Sequence, residues 1–256
     1  MSLLQRAEKE LKEGELIGFK NLFFDSLSLW GENFFTILLT FVVPATALTL
    51  LLRIPLGEHQ LDYFIALIET KAPLISIVKF IIFSYALRFI ILSVATSLFW
   101  ATLIYYFFNI INDGSKKWGE SFNLAIPIFL RLALWMVIIN LIGAIGLVLL
   151  IIPGIYLAVR YAFARYVVVL EKNVPNPLKK SWELTQGFGW HIIGYLVFLT
   201  LIYIVLSIPL DVLKAIFKDS FILYVVDTVW WSLFELFFGI FYLKFYVNLK
   251  KLKAIA

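Results

Sequence analysis

The chain has 256 residues, 62% of them hydrophobic, with a formal net charge of +5, no cysteine and a mean hydropathy of +0.94. Soluble domains are about 45–50% apolar, so this composition belongs to a membrane chain, with room for several spans of roughly 20 residues but none for a separate soluble enzyme domain. The missing cysteines exclude disulfides, thiolate nucleophiles and cysteine-based metal sites, and the basic residues lie in short clusters between apolar runs, a pattern of membrane orientation rather than nucleic-acid binding.

Residues 1–33 form a polar, amphipathic leading segment. Its first twenty residues lack the apolar core of a signal peptide, so the N-terminus is expected on the cytoplasmic side. Within it, residues 2–13 place Leu4, Ala7 and Leu11 on one helical side, with Glu8 and Lys12 paired at i,i+4 on another. Apolar runs then predict six spans, at about 34–52, 89–111, 132–152, 154–170, 191–210 and 221–245. The stretch 61–68 reads as a helix lying on the far surface. Residues 74–88, with Lys79 and Arg88, read as either an interfacial piece or the start of a long tilted span.

Lysine and arginine set the orientation. With the N-terminus inside, the cytoplasmic segments hold Arg6, Lys9, Lys12, Lys20, Lys116, Lys117, Arg131, Lys172, Lys179, Lys180, Lys244, Lys250, Lys251 and Lys253. The opposite side holds Arg53, Lys71, Lys79, Lys214 and Lys218, which puts both termini in the cytoplasm. Each outgoing span is preceded by a short Trp-bearing amphipathic piece, around Trp30, around Trp118 and around Trp182 and Trp190, a weak internal repetition. In the third piece Asn176 is a natural N-cap with Pro177 at the first helical position, and Gly187 closes the helix.

No polar loop separates the third and fourth apolar runs, only "IIPGIY". Pro153 and Gly154 break the helix there, and the charge count selects a hairpin over one kinked helix. With Pro153 as the apex, Arg160 lies about 10 Å and Arg165 about 18 Å down the descending helix. An arginine at such depth costs at least about 2.5–3.5 kcal/mol unless it is paired or faces water. The acids inside a span are Asp227 and Glu235, whose depths match Arg160 and Arg165 respectively; Arg88 is a rival partner for either acid. Three readings of this cluster stay open: a structural lock between the fourth and sixth spans, a polar cavity that binds an anionic headgroup or another ligand, and proton coupling. Asn140 and the stripe Ser93, Ser97, Ala101 read as helix-packing positions.

Catalytic chemistry finds little purchase. The two histidines, His59 and His191, fall on opposite predicted sides, so neither HExxH nor a histidine cluster exists, and "GFGWHIIG" follows no strand.

Residues 151 to about 198 carry a more specific pattern. An apolar helix ends in Pro153-Gly154, Tyr156 and Arg160 follow, and Glu171 closes the next helix. A Leu-x-x-Ser-Trp-x-Leu-Thr segment then comes at Leu178, Ser181, Trp182, Leu184 and Thr185. This stretch resembles a group of prokaryotic multi-pass membrane proteins that includes the membrane domain fused to some glycerophosphoryl diester phosphodiesterases. The chain has no phosphodiesterase barrel, so that activity is not implied. The resemblance implies that the Ser-Trp segment works with the arginine-bearing helix as one unit at the cytoplasmic interface.

The expectation is an all-α, polytopic integral membrane protein, a single domain of six transmembrane helices with amphipathic interfacial helices, in a prokaryotic cytoplasmic membrane. It is expected to have no catalytic activity and no cofactor, and to engage phospholipid headgroups or serve a membrane partner. The alternatives are a transporter whose polar cavity is lined by Arg160, Arg165, Asp227 and Glu235, and a lipid-modifying enzyme. Membrane lipids, a protein partner or a second copy of the chain are the expected associates; nucleic acid is not.

Overall fold

The computed structural model describes residues 18–56, 70, 73, 87–149, 151–217 and 220–255, except for the side chains of 51–56, 87–90, 92, 143–152 and 255. The amphipathic stretches expected at 2–13 and 61–68, residues 74–86 and His59 lie outside the described residues. Among those described, every regular element is helical.

Helix α1 spans Phe19–Glu32 and α2 spans Phe34–Ile37. A π-helical turn, Leu38–Val42, leads into α3, Val43–Leu56. The wider turn has a local reason: Pro44 lacks the amide that Thr40 would otherwise receive, and the helix shifts register just before it. Then come α4 (Leu87–Asp113), α5 (Trp118–Ala125), α6 (Phe129–Leu149), α7 (Ile151–Arg160) and α8 (Ala164–Leu170). The last three are α9 (Pro177–Thr185), α10 (Gly189–Ile216) and α11 (Phe221–Ile255).

Among the described residues, four helical segments are long and apolar enough to cross a membrane, the Pro153–Leu170 segment counted as one, and up to six if each bent pair counts as one. The bends are sharp, 70° between α1 and the helix from Phe34, and 69° between α5 and α6. They join a short amphipathic helix to a long apolar one, as the Trp-bearing pieces suggested. The repetition is closer than the tryptophans alone indicate. Ser26, Ser121 and Ser181 are each fully buried, and each stands eight residues before the next helix, at Phe34, Phe129 and Gly189. Ser26 and Ser121 donate to the carbonyls of Leu22 and Lys117 four residues back.

Each short helix and its outgoing span are followed by a returning one: α4, α7 with α8, and α11. These returning segments carry the core. Tyr166 stacks on Tyr246 at 5.8 Å and donates a hydrogen bond to the Gly239 carbonyl, while Tyr105 donates to the Val169 carbonyl and Tyr106 to Asn33 Oδ1. Each hydroxyl thus finds an acceptor inside the bundle, as a buried phenol requires. Ser97 and Ala101 are buried on α4, where close packing was expected.

The third and fourth spans form the expected antiparallel hairpin. Arg131, near the start of α6, donates to the carbonyls of Lys172 and Val174, just past the end of α8. The helix α6 ends at Leu149 and α7 starts at Ile151, so Pro153 and Gly154 lie inside the first turn of α7 rather than at an apex. Proline fits there because first-turn amides have no intrahelical acceptor to lose.

Burial is uneven along the molecule. Only Ile192, Leu199 and Ser207 of the 28 residues of α10 are buried, and the first part of α11 exposes Phe221, Ile222, Val226 and Trp231. From Leu236 onward α11 is core, enclosed by α1, α9 and α4. With 35 residues it is about 52 Å long, far beyond one hydrocarbon thickness of about 30 Å, and extends well past the expected limit at 245. Of the basic residues assigned to one side, Lys116, Lys244, Lys250 and Lys253 lie at this core end. Lys116 meets Glu32 at 3.9 Å, Lys244 meets Asp25 at 3.5 Å, Lys250 meets Glu171 at 3.1 Å, and Lys253 donates to the Glu183 carbonyl.

Candidate functional site, a charged cavity between returning helices

The arginine-bearing segment is not one helix. It breaks at residues 161–163, and the break is held by α9, which folds back against α7 and α8. Ser181 Oγ donates to the Arg160 carbonyl at 2.8 Å and accepts from the Phe163 amide at 3.2 Å, serving two backbone groups that a continuous helix would have paired. The capping of α9 is as expected: Asn176 Oδ1 accepts from the Lys179 amide at 3.0 Å, Pro177 follows, and Gly187 takes a positive φ of 86° in the turn to α10. The buried stripe of α9 is Pro177, Ser181, Leu184 and Thr185, which brings Ser181 to the break.

This folding corrects the expected pairing of Arg160 with Asp227. Arg160 Cζ lies 5.0 Å from the ring centres of both Tyr156 and Trp182, and its Nε and Nη1 are buried without hydrogen-bond partners. Aromatic faces therefore carry the charge, at about 0.5–2 kcal/mol per contact. Asp227 belongs to Lys214 near the far end of the α10–α11 hairpin, at 3.0 Å, and Lys214 also meets Asp211 at 2.7 Å. The depth match failed because α10 continues to Ile216, which carries Lys214 to Asp227, while α9 holds Arg160 at the other end. Arg88 lies in α4, and its side chain is outside the described residues. Glu171 ends α8 and is doubly held, accepting from Tyr246 Oη at 2.5 Å and pairing with Lys250. Of the four tryptophans expected at an interface, Trp190 is 85% exposed, whereas Trp30, Trp118 and Trp182 are half-buried and pack inward.

Arg165 and Glu235 do come together. Both line a cavity of about 330 Å³ whose walls come from α7, α8, α10 and α11. Arg165 Cζ stands 4.8 Å from the Trp100 ring centre. Among the described residues no direct ion pair joins them, and neither makes a hydrogen bond to the protein. Val159, Ile192, Leu196 and Phe238 supply apolar wall, and the rings of Tyr166, Trp231 and Tyr242 supply aromatic wall. Leu196 at 37% and Trp231 at 48% exposure also belong to the apolar outer surface, so the rim of the cavity meets that surface.

Sequence reasoning missed Trp100 and the aromatic wall. The only signal available was Gly239: a Cβ there would lie 2.6 Å from the Trp100 ring, so glycine is what allows the indole to sit under Arg165. No family model, no curated protein and no solved structure matches this chain.

Proposed function

We propose that the protein is a multi-pass integral membrane protein of the prokaryotic cell membrane, without catalytic activity of its own, that receives a phospholipid headgroup at Arg165 and Glu235. In this reading it has six spans and both termini in the cytoplasm, and it is akin to the family that residues 151–198 resemble. The gathering of Lys116, Arg131, Lys172, Lys244, Lys250 and Lys253 at one end supports that orientation.

One observation carries the functional reading: a cation and an acid, neither hydrogen-bonded nor ion-paired among the described residues, line a cavity of about 330 Å³ whose edge lies on the apolar surface. That volume is at the lower end of small-molecule sites, about 300–1,000 Å³, and suits a headgroup rather than a whole lipid. An unpaired guanidinium at membrane depth is costly, so an occupant that brings acceptors stabilises it. Access beside Leu196 and Trp231 is access from lipid.

The same unpaired charges favour a second reading, transport of a polar solute. The test is phospholipid retained by the detergent-purified protein, identified by mass spectrometry in wild type and Arg165→Gln. Enriched lipid that the substitution removes is the expected result. Equal retention in both proteins refutes a headgroup at Arg165, and solute flux through reconstituted protein, abolished by the substitution, would establish transport instead.

A further inference from the structure

The charge pattern of the cavity narrows its occupant. An anionic headgroup would satisfy Arg165 but bring its charge against Glu235, and a purely cationic group would do the reverse. A group with a phosphate and an ammonium answers both residues and leaves the cavity neutral, which matters where apolar walls raise the cost of unbalanced charge.

The two ends of such a group fit different walls. Trp100 takes up the Arg165 cation at 4.8 Å without using a hydrogen-bond donor, and the guanidinium N–H groups are donors whose fork geometry receives phosphate oxygens. Glu235 is an acceptor and calls for N–H donors. The rings of Trp231, Tyr166 and Tyr242 add favourable faces for a cation. A trimethylammonium could use those rings but has no hydrogen to give the carboxylate, so a primary ammonium fits better.

We infer that the cavity selects a zwitterionic phosphoethanolamine headgroup, its phosphate on Arg165 and its primary ammonium on Glu235. This rests on the reading that the cavity receives a headgroup, and the experiment separates the two. The full-length protein in detergent is titrated with short-chain phosphatidylethanolamine, phosphatidylglycerol and phosphatidylcholine, with bound lipid read by native mass spectrometry. Glycerophosphoethanolamine serves as a soluble competitor.

Wild type is expected to prefer phosphatidylethanolamine over phosphatidylglycerol by about tenfold, the worth of one charge-assisted hydrogen bond. Glu235→Gln should bring that ratio close to one, Glu235→Asp should keep it above one, and Arg165→Gln should weaken both lipids. Equal or stronger binding of phosphatidylglycerol by wild type overturns the zwitterion inference, and that of phosphatidylcholine overturns the primary-ammonium contact, each while leaving a headgroup site. An unchanged ratio in Glu235→Gln does the same. Full displacement by glycerophosphoethanolamine at matched concentration would make the ligand a soluble zwitterion and overturn the lipid source. Binding of every lipid that ignores Arg165→Gln removes the headgroup site itself. The wild-type ratio and the competitor arm stand even if a variant fails to fold.

Discussion

Ser181 shows how one hydroxyl can decide a helix's path. The backbone between Arg160 and Phe163 leaves helical geometry, and the exposed carbonyl and amide are both answered by the same Oγ. In an apolar setting, an unanswered backbone group costs about 1–3 kcal/mol. Ser181→Ala should therefore lower unfolding free energy by about that amount, measured by denaturant unfolding in mixed micelles. A change within about 0.5 kcal/mol, as for an inert surface position, would mean that water or a repacked helix replaces the hydroxyl without loss. The substitution also bears on Arg160, since the same α9 supplies Trp182 to its guanidinium. The Leu-x-x-Ser-Trp segment is thus a packing device in which serine holds the break and tryptophan covers the charge.

At the level of elements, the contact between α4 and α11 positions the cavity. Gly239 lets Trp100 press against α11, and Trp100 in turn sits under Arg165. Gly239→Ala would drive a methyl group into the indole, an overpacking that costs about 1–3 kcal/mol. Trp100→Phe in the same chain should recover part of that loss, because the smaller ring vacates the contact, and a double-mutant cycle on unfolding free energy measures the coupling. Additive effects would contradict the packing argument.

The same helices show what could and could not be read from the chain. Helices near 34–52, 132–152 and 191–210 were legible because a long apolar run has few alternatives, and the cap at Asn176 was legible because its cause is local. The break at 161–163 was not, because its cause is Ser181, eighteen residues beyond Phe163. Depth arithmetic along straight helices could bring Arg165 near Glu235, which share a cavity wall, yet it misassigned Arg160 and Asp227. Pairing depends on which neighbour folds alongside, and neither Trp182 nor Lys214 is marked by residue spacing.

Across the described molecule, most of the placed basic residues and the core share one end, with Lys214 at the other, while α10 and the first part of α11 present apolar side chains outward. The arrangement follows from two separate pressures. In the proposed orientation, lysine and arginine resist translocation and keep that end in the cytoplasm. The amphipathic α1, α5 and α9 can bury one face only against protein or an interface, so α1 and α9 pack against α11 and α5 packs against α4. The chain has no cysteine, which makes single introduced cysteines clean reporters of this geometry. Ser220→Cys lies in the turn between α10 and α11, and Lys251→Cys lies on the exposed side of the last turns of α11. A membrane-impermeant maleimide added to intact cells should label Ser220→Cys and spare Lys251→Cys, and permeabilisation should expose the second. Labelling of Lys251→Cys in sealed cells would invert the molecule, place the partly buried Asp25–Lys244 pair on the outside, and break the link between charge and orientation. The cavity would survive such an inversion, since its walls are set by α7, α8, α10 and α11 alone, but it would then draw its headgroup from the opposite leaflet.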